Sequence, residues 1–356
     1  MNILIVKLSA IGDVIHTLPA LNALRKQFPG ATINWLVEEA AADLLIGHPA
    51  LNRVLVSRRK QWLAQLRNGP ARAAAWQEMR RFWHELRDTR YDMVLDFQAL
   101  LKSGLLLSVV HGARKIGFDK GMQHQEHSYL LLNERLPPVD MEVHALDRNL
   151  EMLRRVGIPA AEVAYGVPLS DAERERVTLL LRENGISPGS TIIAINPMTK
   201  WETKNWDNRK FAALADRLLE RSAVRLVFTG ARDDWAQVTE IMGHMQGRAA
   251  NLAGKTSLKE LAALYEKCAC LISTDTGPMH LGAAMNIPVV ALFGPTAPWR
   301  TGPYGEKHQV VRLDLPCSPC FKRRCDTTRC MAEINVDQVL AAVARVVGPG
   351  HAKSPV

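Results

Sequence analysis

The stretch LISTDTGPMHLGAAMNIPVVALFGPT, residues 271–296, holds the pattern that sets the fold class. An apolar run ends in the small polar turn STDTG, a helical segment opens at Pro278, and a second apolar run, IPVVALFG, follows. Strand, helix and strand in this succession mark a parallel sheet with crossover helices. Pro278 suits a first helical turn, where its missing N–H costs nothing and its φ is already helical. Gly277 lets the backbone approach a ligand, and the unsatisfied amides of the helix start, with the positive end of its dipole, favour an anion. Thr276 and His280 add a hydroxyl and an imidazole on the same turn. Asp275 would repel a phosphate and is better suited to accept from a sugar hydroxyl or to order the loop. The plainer alternative is a capped helix, with Asp275 or Thr276 satisfying its first amides.

Working outward, the same pattern fills the second half of the chain. Ser170 caps a helix over DAERERVTLLLREN that ends at Gly185; TIIAIN (191–196), VRLVFTG (224–230) and CLIST (270–274) read as strands with helices between them. Two of these strand exits carry related chemistry. TIIAIN runs into PMTKWETKNW, with Thr199, Lys200 and Lys204, and VRLVFTG runs into ARDDW, with Asp233 and Asp234. Two lysines and two helix starts aimed at one crevice suit a diphosphate. Neither a G-x-x-x-x-G-K-[ST] loop nor a G-x-G-x-x-G after the first strand is present, which disfavours a nucleotide triphosphatase or a dehydrogenase. The last helical segment, VDQVLAAVARVV, is free to pack back onto the first domain.

The first half repeats the alternation. NILIVKL, ATINWLVEE, RVLVS (53–57) and DMVLDF (92–97) read as strands, VIHTLPALNALRKQF as one helix, and 62–89 as basic helix with a break at Gly69-Pro70. The linker falls in YGVPLS, 165–170, so the domains are expected at 1–168 and 169–356. In doubly wound sheets ligands collect at the carboxyl ends of the strands. At the first such end, KLSAIGDVIHTLPAL, Gly12 allows a tight turn and Asp13 stands where a helix begins. The positive end of the helix dipole there suits an acidic side chain. Asp13 is then either a helix cap or a base for a substrate hydroxyl.

Composition agrees with an α/β protein of two domains: 356 residues exceed the size at which one core keeps growing. A formal charge of +9 favours anionic partners. No apolar run approaches the roughly 18–20 residues that span a bilayer. MNILIVKLSAIGD is broken by Lys7 and Asp13 and reads as a strand rather than a signal peptide, so a cytoplasmic location is expected. In a reducing compartment the cluster Cys317, Cys320, Cys325 and Cys330, spaced C-x2-C-x4-C-x4-C, suits a structural zinc or an iron–sulfur cluster. Short-range disulfides and free thiols compete with that reading, and the lysine and arginines of the segment also suit anion contact. Cys268 and Cys270 read as core.

Three motifs together resemble a known family. K-x-S-x-I-G-D-V-I-H-T-L-P-A-L at the start, D-F-Q-A-L-L-K-S at 96–103 and S-T-D-T-G-P-M-H-L-x-A-A near 280 resemble the bacterial heptosyltransferases of lipopolysaccharide core assembly, glycosyltransferase family nine. The resemblance spans nearly the whole chain, in the family's order. It implies a GT-B fold of two Rossmann-like domains facing a cleft, with the acceptor on the first and the nucleotide-sugar on the second. It implies inverting, metal-independent transfer of L-glycero-D-manno-heptose from ADP-heptose to the Kdo-containing inner core, with no cofactor. The start and the WLVEE segment look most like the branch that adds the first heptose to Kdo, from which the cysteine segment departs.

The family's catalytic aspartate matches Asp13, and its donor-site residues match Thr199, Lys204, Asp275, Thr276, Gly277 and His280, with Lys200 and Asp234 at further donor-side positions. Arg58, Arg59, Lys60 and Lys102 are candidates to hold the acidic, lipid-anchored acceptor of Kdo–lipid A type. The basic region 67–90 is either a solvated helix or a face for the anionic inner membrane, and Trp62, Trp76 and Trp83 are either core or interface. Another nucleotide-sugar, or a later core heptose, would use the same chemistry. A polyanion- or RNA-binding protein would exploit the charge alone. It would leave Asp13 and D-T-G without a use, and nucleic acid is not an expected partner.

Overall fold

Apolar runs of five to seven residues become buried strands, and in the computed structural model they assemble into two parallel sheets. The structure describes residues 1–67, 69–122, 126–220 and 223–347. The chain divides into two compact units, Met1–Pro168 and Leu169 onward. In the first, the strands are β1 (Asn2–Val6), β2 (Thr32–Glu38), β3 (Arg53–Ser57), β4 (Arg90–Asp96), β5 (His111–Phe118) and β6 (Glu134–Leu136), in the order β3-β2-β1-β4-β5-β6. In the second they are β7 (Thr191–Asn196), β8 (Val224–Phe228), β9 (Ala250–Asn251), β10 (Cys268–Thr274), β11 (Val289–Leu292) and β12 (Gln309–Val311), in the order β12-β11-β10-β7-β8-β9.

Read from the other edge, the second order is the first repeated. Both are the doubly wound 3-2-1-4-5-6 arrangement, whose winding reverses between the first and fourth strands. That reversal lies between β1 and β4, where Val6 pairs with Asp96, and between β7 and β10, where Asn196 pairs with Ser273. The expected α/β class with two Rossmann-like halves is what the chain forms.

Local chemistry explains the departures from the sequence reading. The single helix expected over 14–28 is two, Ile11–Ile15 and Leu18–Gln27. Pro19 cannot donate to the carbonyl of Ile15 and its ring crowds that carbonyl, so the helix restarts. Asn149 Nδ2 meets the chain at this break, donating to His16 O and to Thr17 Oγ1, both at 3.0 Å.

The last helix, Val336–Val347, packs into the core of its own unit. Its buried Val339, Ala342, Val343 and Val346 follow the 3–4 spacing of one helical face and join Phe211, Leu214, Val290 and Leu292 in the core of the second unit. Strands β6, β9 and β12 are only two or three residues long, and β5 reads HGARKIGF, so none carries an apolar period to recognise. Among the described residues no helix is long and apolar enough to cross a membrane.

Candidate functional site

In the second unit, the winding reversal brings the loops after β7 and β10 side by side. Asp275, the first residue past β10, is buried, and its Oδ2 lies 2.7 Å from Lys204 Nζ of the β7 exit loop. The pair is largely out of solvent, with side-chain exposures of 14% for Lys204 and 7% for Asp275. The loop after β11 supplies a third member, as Thr296 Oγ1 donates to the same Oδ2 at 2.6 Å. Lys204 Nζ also sits 4.3 Å from the centroid of the Trp201 ring, and Thr199 N donates to Asn205 Oδ1 at 3.2 Å, folding the loop onto itself.

Behind these residues the Gly277–Ala284 helix starts at an extended Thr276 whose side chain makes no capping hydrogen bond. The simple capped-helix reading of D-T-G therefore gives way. Asp275 spends its carboxylate on Lys204 and Thr296, which orders three loops rather than one helix end. His280 is buried on the inner side of this helix. Gly282 lets the helix lie close to the sheet, since a Cβ there would stand 2.5 Å from Leu271 Cδ2.

Thr199, Lys204, Asp275, Thr276, Gly277 and His280 thus belong to two adjoining strand exits. Lys200 is exposed on the same loop. Asp234 lies at the β8 exit, where its Oδ2 accepts from the Ala231 N–H at 2.7 Å and closes a turn. Thr296 was not singled out in the sequence; it stands only two residues past Gly294, at the end of the opening motif.

The first unit builds a charged cluster at the ends of β1, β2 and β4. Asp13 Oδ2 accepts from Ala10 N at 2.8 Å, so the cap reading of Asp13 describes a real bond. Lys102 Nζ donates to Ser9 Oγ at 2.6 Å and to Glu38 Oε1 at 3.1 Å, and Gln98 Oε1 accepts from Leu8 N and Ser9 N, fixing the loop that carries Asp13. Lys7 is buried and donates to Phe97 O at 2.8 Å. Burial lowers its pKa, against the pull of Asp13 and Asp96. Asp96 is pushed up to about 6 by burial, offset in part by the amides of Ala99 and Gln98, the Ser103 hydroxyl and the Lys7 charge.

Lys7, Glu38 and Asp96 were missed as site residues. The available signal was a lone lysine inside the apolar run NILIVKL. Of the expected acceptor residues, Arg58 pairs with Glu39 at 3.0 Å, Arg59 lies 3.7 Å from Glu38, and Lys60 is exposed. Trp62 is core and donates to Glu78 at 2.9 Å, whereas Trp76 and Trp83 are exposed. Residue 68 of the basic region lies outside the described residues.

All six cysteines are free, with Cys268 and Cys270 buried in β10 as expected. Among the described residues no three His, Cys, Asp or Glu side chains are placed to hold one metal ion, although Cys317, Cys320 and Cys325 lie near enough to Cys330 to help raise the pKa of its thiol, after burial.

Against this geometry, the profile of Glycosyltransferase family 9 (heptosyltransferase) matches residues 79–330. The chain belongs to glycosyltransferase family 9. It is similar to lipopolysaccharide heptosyltransferase 1 of Pseudomonas aeruginosa, with 32% identity over 91% of this chain and 87% of that one. Lipopolysaccharide heptosyltransferase 1 of Escherichia coli K12 is 29% identical over 88% of this chain and 93% of its own. Among solved structures, E. coli heptosyltransferase WaaC with ADP superposes with a TM-score of 0.77 at 25% identity, covering 97% of this chain and 100% of that one. The family 9 member described here is therefore a glycosyltransferase with the GT-B class of fold.

Proposed function

We propose that this family 9 enzyme transfers heptose from ADP-heptose to the Kdo-bearing inner core of lipopolysaccharide, by an inverting reaction that needs no metal. The observation that carries the reading is the Lys204–Asp275–Thr296 junction at the winding reversal of the second sheet, beside an uncapped helix start. In this reading the diphosphate lies at the start of the Gly277–Ala284 helix, with Lys204 beside it and Thr199, Thr276 and His280 as polar contacts; Lys200 and Asp234 are outer donor-side positions. Solved E. coli WaaC structures carrying ADP and ADP-2-deoxy-2-fluoro heptose support an ADP-sugar donor, and both curated relatives are named heptosyltransferase 1.

Asp13 takes the proton of the acceptor hydroxyl as that oxygen bonds to the anomeric carbon. The bond from the anomeric carbon to the phosphate oxygen breaks on the opposite face, and its electron pair leaves with ADP. Negative charge grows on the leaving diphosphate, so a preformed cation and helix amides aimed there lower the barrier. Lys102, Arg58, Arg59 and Lys60 hold the acidic acceptor. The exposed Trp76 and Trp83, on a helix that also carries Arg80 and Arg81, meet an anionic membrane face from the cytoplasmic side.

The test combines purified protein, ADP-heptose and heptose-free Kdo–lipid A, with released ADP as the readout. Asp13→Asn is expected to lose on the order of 10²–10⁴ in turnover, the usual worth of a general base, and to bind ADP as the parent does. Turnover retained in that variant removes the base assignment.

A further inference from the structure

The cysteine segment has no part in the chemistry above, yet its backbone is fastened to the donor-side loops. Ser318 Oγ donates to Gly294 O at 2.6 Å, and the amides of Cys320 and Phe321 donate to Pro295 O at 3.0 and 2.8 Å. The next residue, Thr296, is the one that donates to Asp275. Phe321, at a φ of +55, holds its ring 4.9 Å from the guanidinium of the buried Arg300. On the other side Thr203, next to Lys204, donates to Lys322 O at 2.9 Å. The residue that follows this clamp is Arg323.

Its guanidinium carbon stands 4.7 Å from the centroid of Trp201, the ring that Lys204 Nζ approaches to 4.3 Å. The two positive charges therefore lie within about 9 Å of one another, with one indole face each or shared. Their surroundings differ. Lys204 is neutralised by Asp275, whereas among the described residues no carboxylate pairs with Arg323, which is exposed. A chain that tethers the residues just before an arginine, sets it beside a lysine and, among the described residues, gives it no carboxylate has left a charge for something else to match.

We propose that Arg323 is a second cation for the donor diphosphate, carried to the Lys204 loop by the cysteine segment. This rests on the reading that the ADP moiety binds at the ends of β7 and β10. Lys204 alone arrives already paired, so it offers a phosphate only part of its charge. Arg323 offers a full charge and a planar fork that can bond two phosphate oxygens at once, while its stack on Trp201 fixes the plane. The role is one of binding and of steadying the departing phosphate, not of proton transfer.

The test compares calorimetric affinities for ADP and for adenosine in the parent, Arg323→Gln, Arg323→Lys and Lys204→Met proteins at one ionic strength. Arg323→Gln is expected to weaken ADP roughly tenfold or more, the usual worth of a charge-assisted contact, and to leave adenosine unchanged. Arg323→Lys should recover part of the loss, because it returns charge without the fork. With ADP-heptose, Arg323→Gln should raise KM more than it lowers kcat. If Lys204→Met weakens ADP and Arg323→Gln does not, the Arg323 assignment falls alone. Equal losses for ADP and adenosine would mean a damaged fold and would overturn it too. If neither variant affects ADP, the placement of the donor itself is wrong.

Discussion

Removing the charge of Asp275 is the sharpest probe of the second unit. Asp275→Asn keeps the size of the side chain and an oxygen for the Thr296 hydroxyl, but it strands Lys204 in a setting where only 14% of its side chain meets solvent. Breaking a fully buried ion pair from one side costs about 3–5 kcal/mol. The residual exposure of Lys204 lowers this to roughly 2–4 kcal/mol. For a unit of this size, each kcal/mol moves the melting midpoint by about 2–4 °C, so a fall of roughly 4–16 °C is expected. Lys204→Met should cost a similar amount, because it leaves the Asp275 carboxylate, at 7% exposure, with the Thr296 hydroxyl in place of a cation. The double variant should then recover part of the loss, with a coupling of about 2 kcal/mol. Raising salt to about 1 M should change the coupling little, since water and ions reach the pair poorly. Calorimetric melting of the four proteins at pH 7 measures all of this. Additive effects, each under about 0.5 kcal/mol, would show that the pair is not buried and that the three loops are not joined through Asp275.

Two further outcomes can be checked by denaturant titration. Asp96 is held at about 6, above its ordinary 3.8, so the folded state takes up a proton between these values that the unfolded state does not; stability is favoured below about 3.8 and falls as pH rises through about 6. Asp96→Asn should remove that slope, gaining roughly 2 kcal/mol relative to the parent between pH 4 and pH 7, and a difference that does not change with pH would refute the buried-carboxyl account. Gly282→Ala would put a Cβ 2.5 Å from Leu271 Cδ2 and 3.3 Å from Val289 Cγ2, and should cost about 1–3 kcal/mol with an unchanged denaturant slope. A cost under about 0.5 kcal/mol would mean the helix is not pressed on the sheet as described.

Much of this was legible because the signals were local. RVLVS and TIIAIN become β3 and β7 with the boundaries read from sequence, and Val336–Val347 is helical from end to end as read. Each is a run in which apolar period and length agree. Pro19 was passed over because the apolar repeat continues through it, although the backbone cannot. The sites were half legible. Asp275 and Lys204 announced themselves as polar residues at strand exits, but their mutual bond joins positions 71 apart and depends on β7 and β10 being neighbours, which no local pattern encodes. Thr296 and Arg323 were hidden for the same reason, and Lys7 read as a break in a signal-peptide pattern rather than as a buried member of a charged cluster.

The repeated winding has an evolutionary corollary. Each half closes its own hydrophobic interior and carries its own reversal point, so under the proposed function a mutation that retunes the donor side need not disturb the acceptor side. Hybrids joined at Pro168–Leu169, taking one lobe from this chain and the other from a relative, should inherit nucleotide preference from the carboxy-terminal parent.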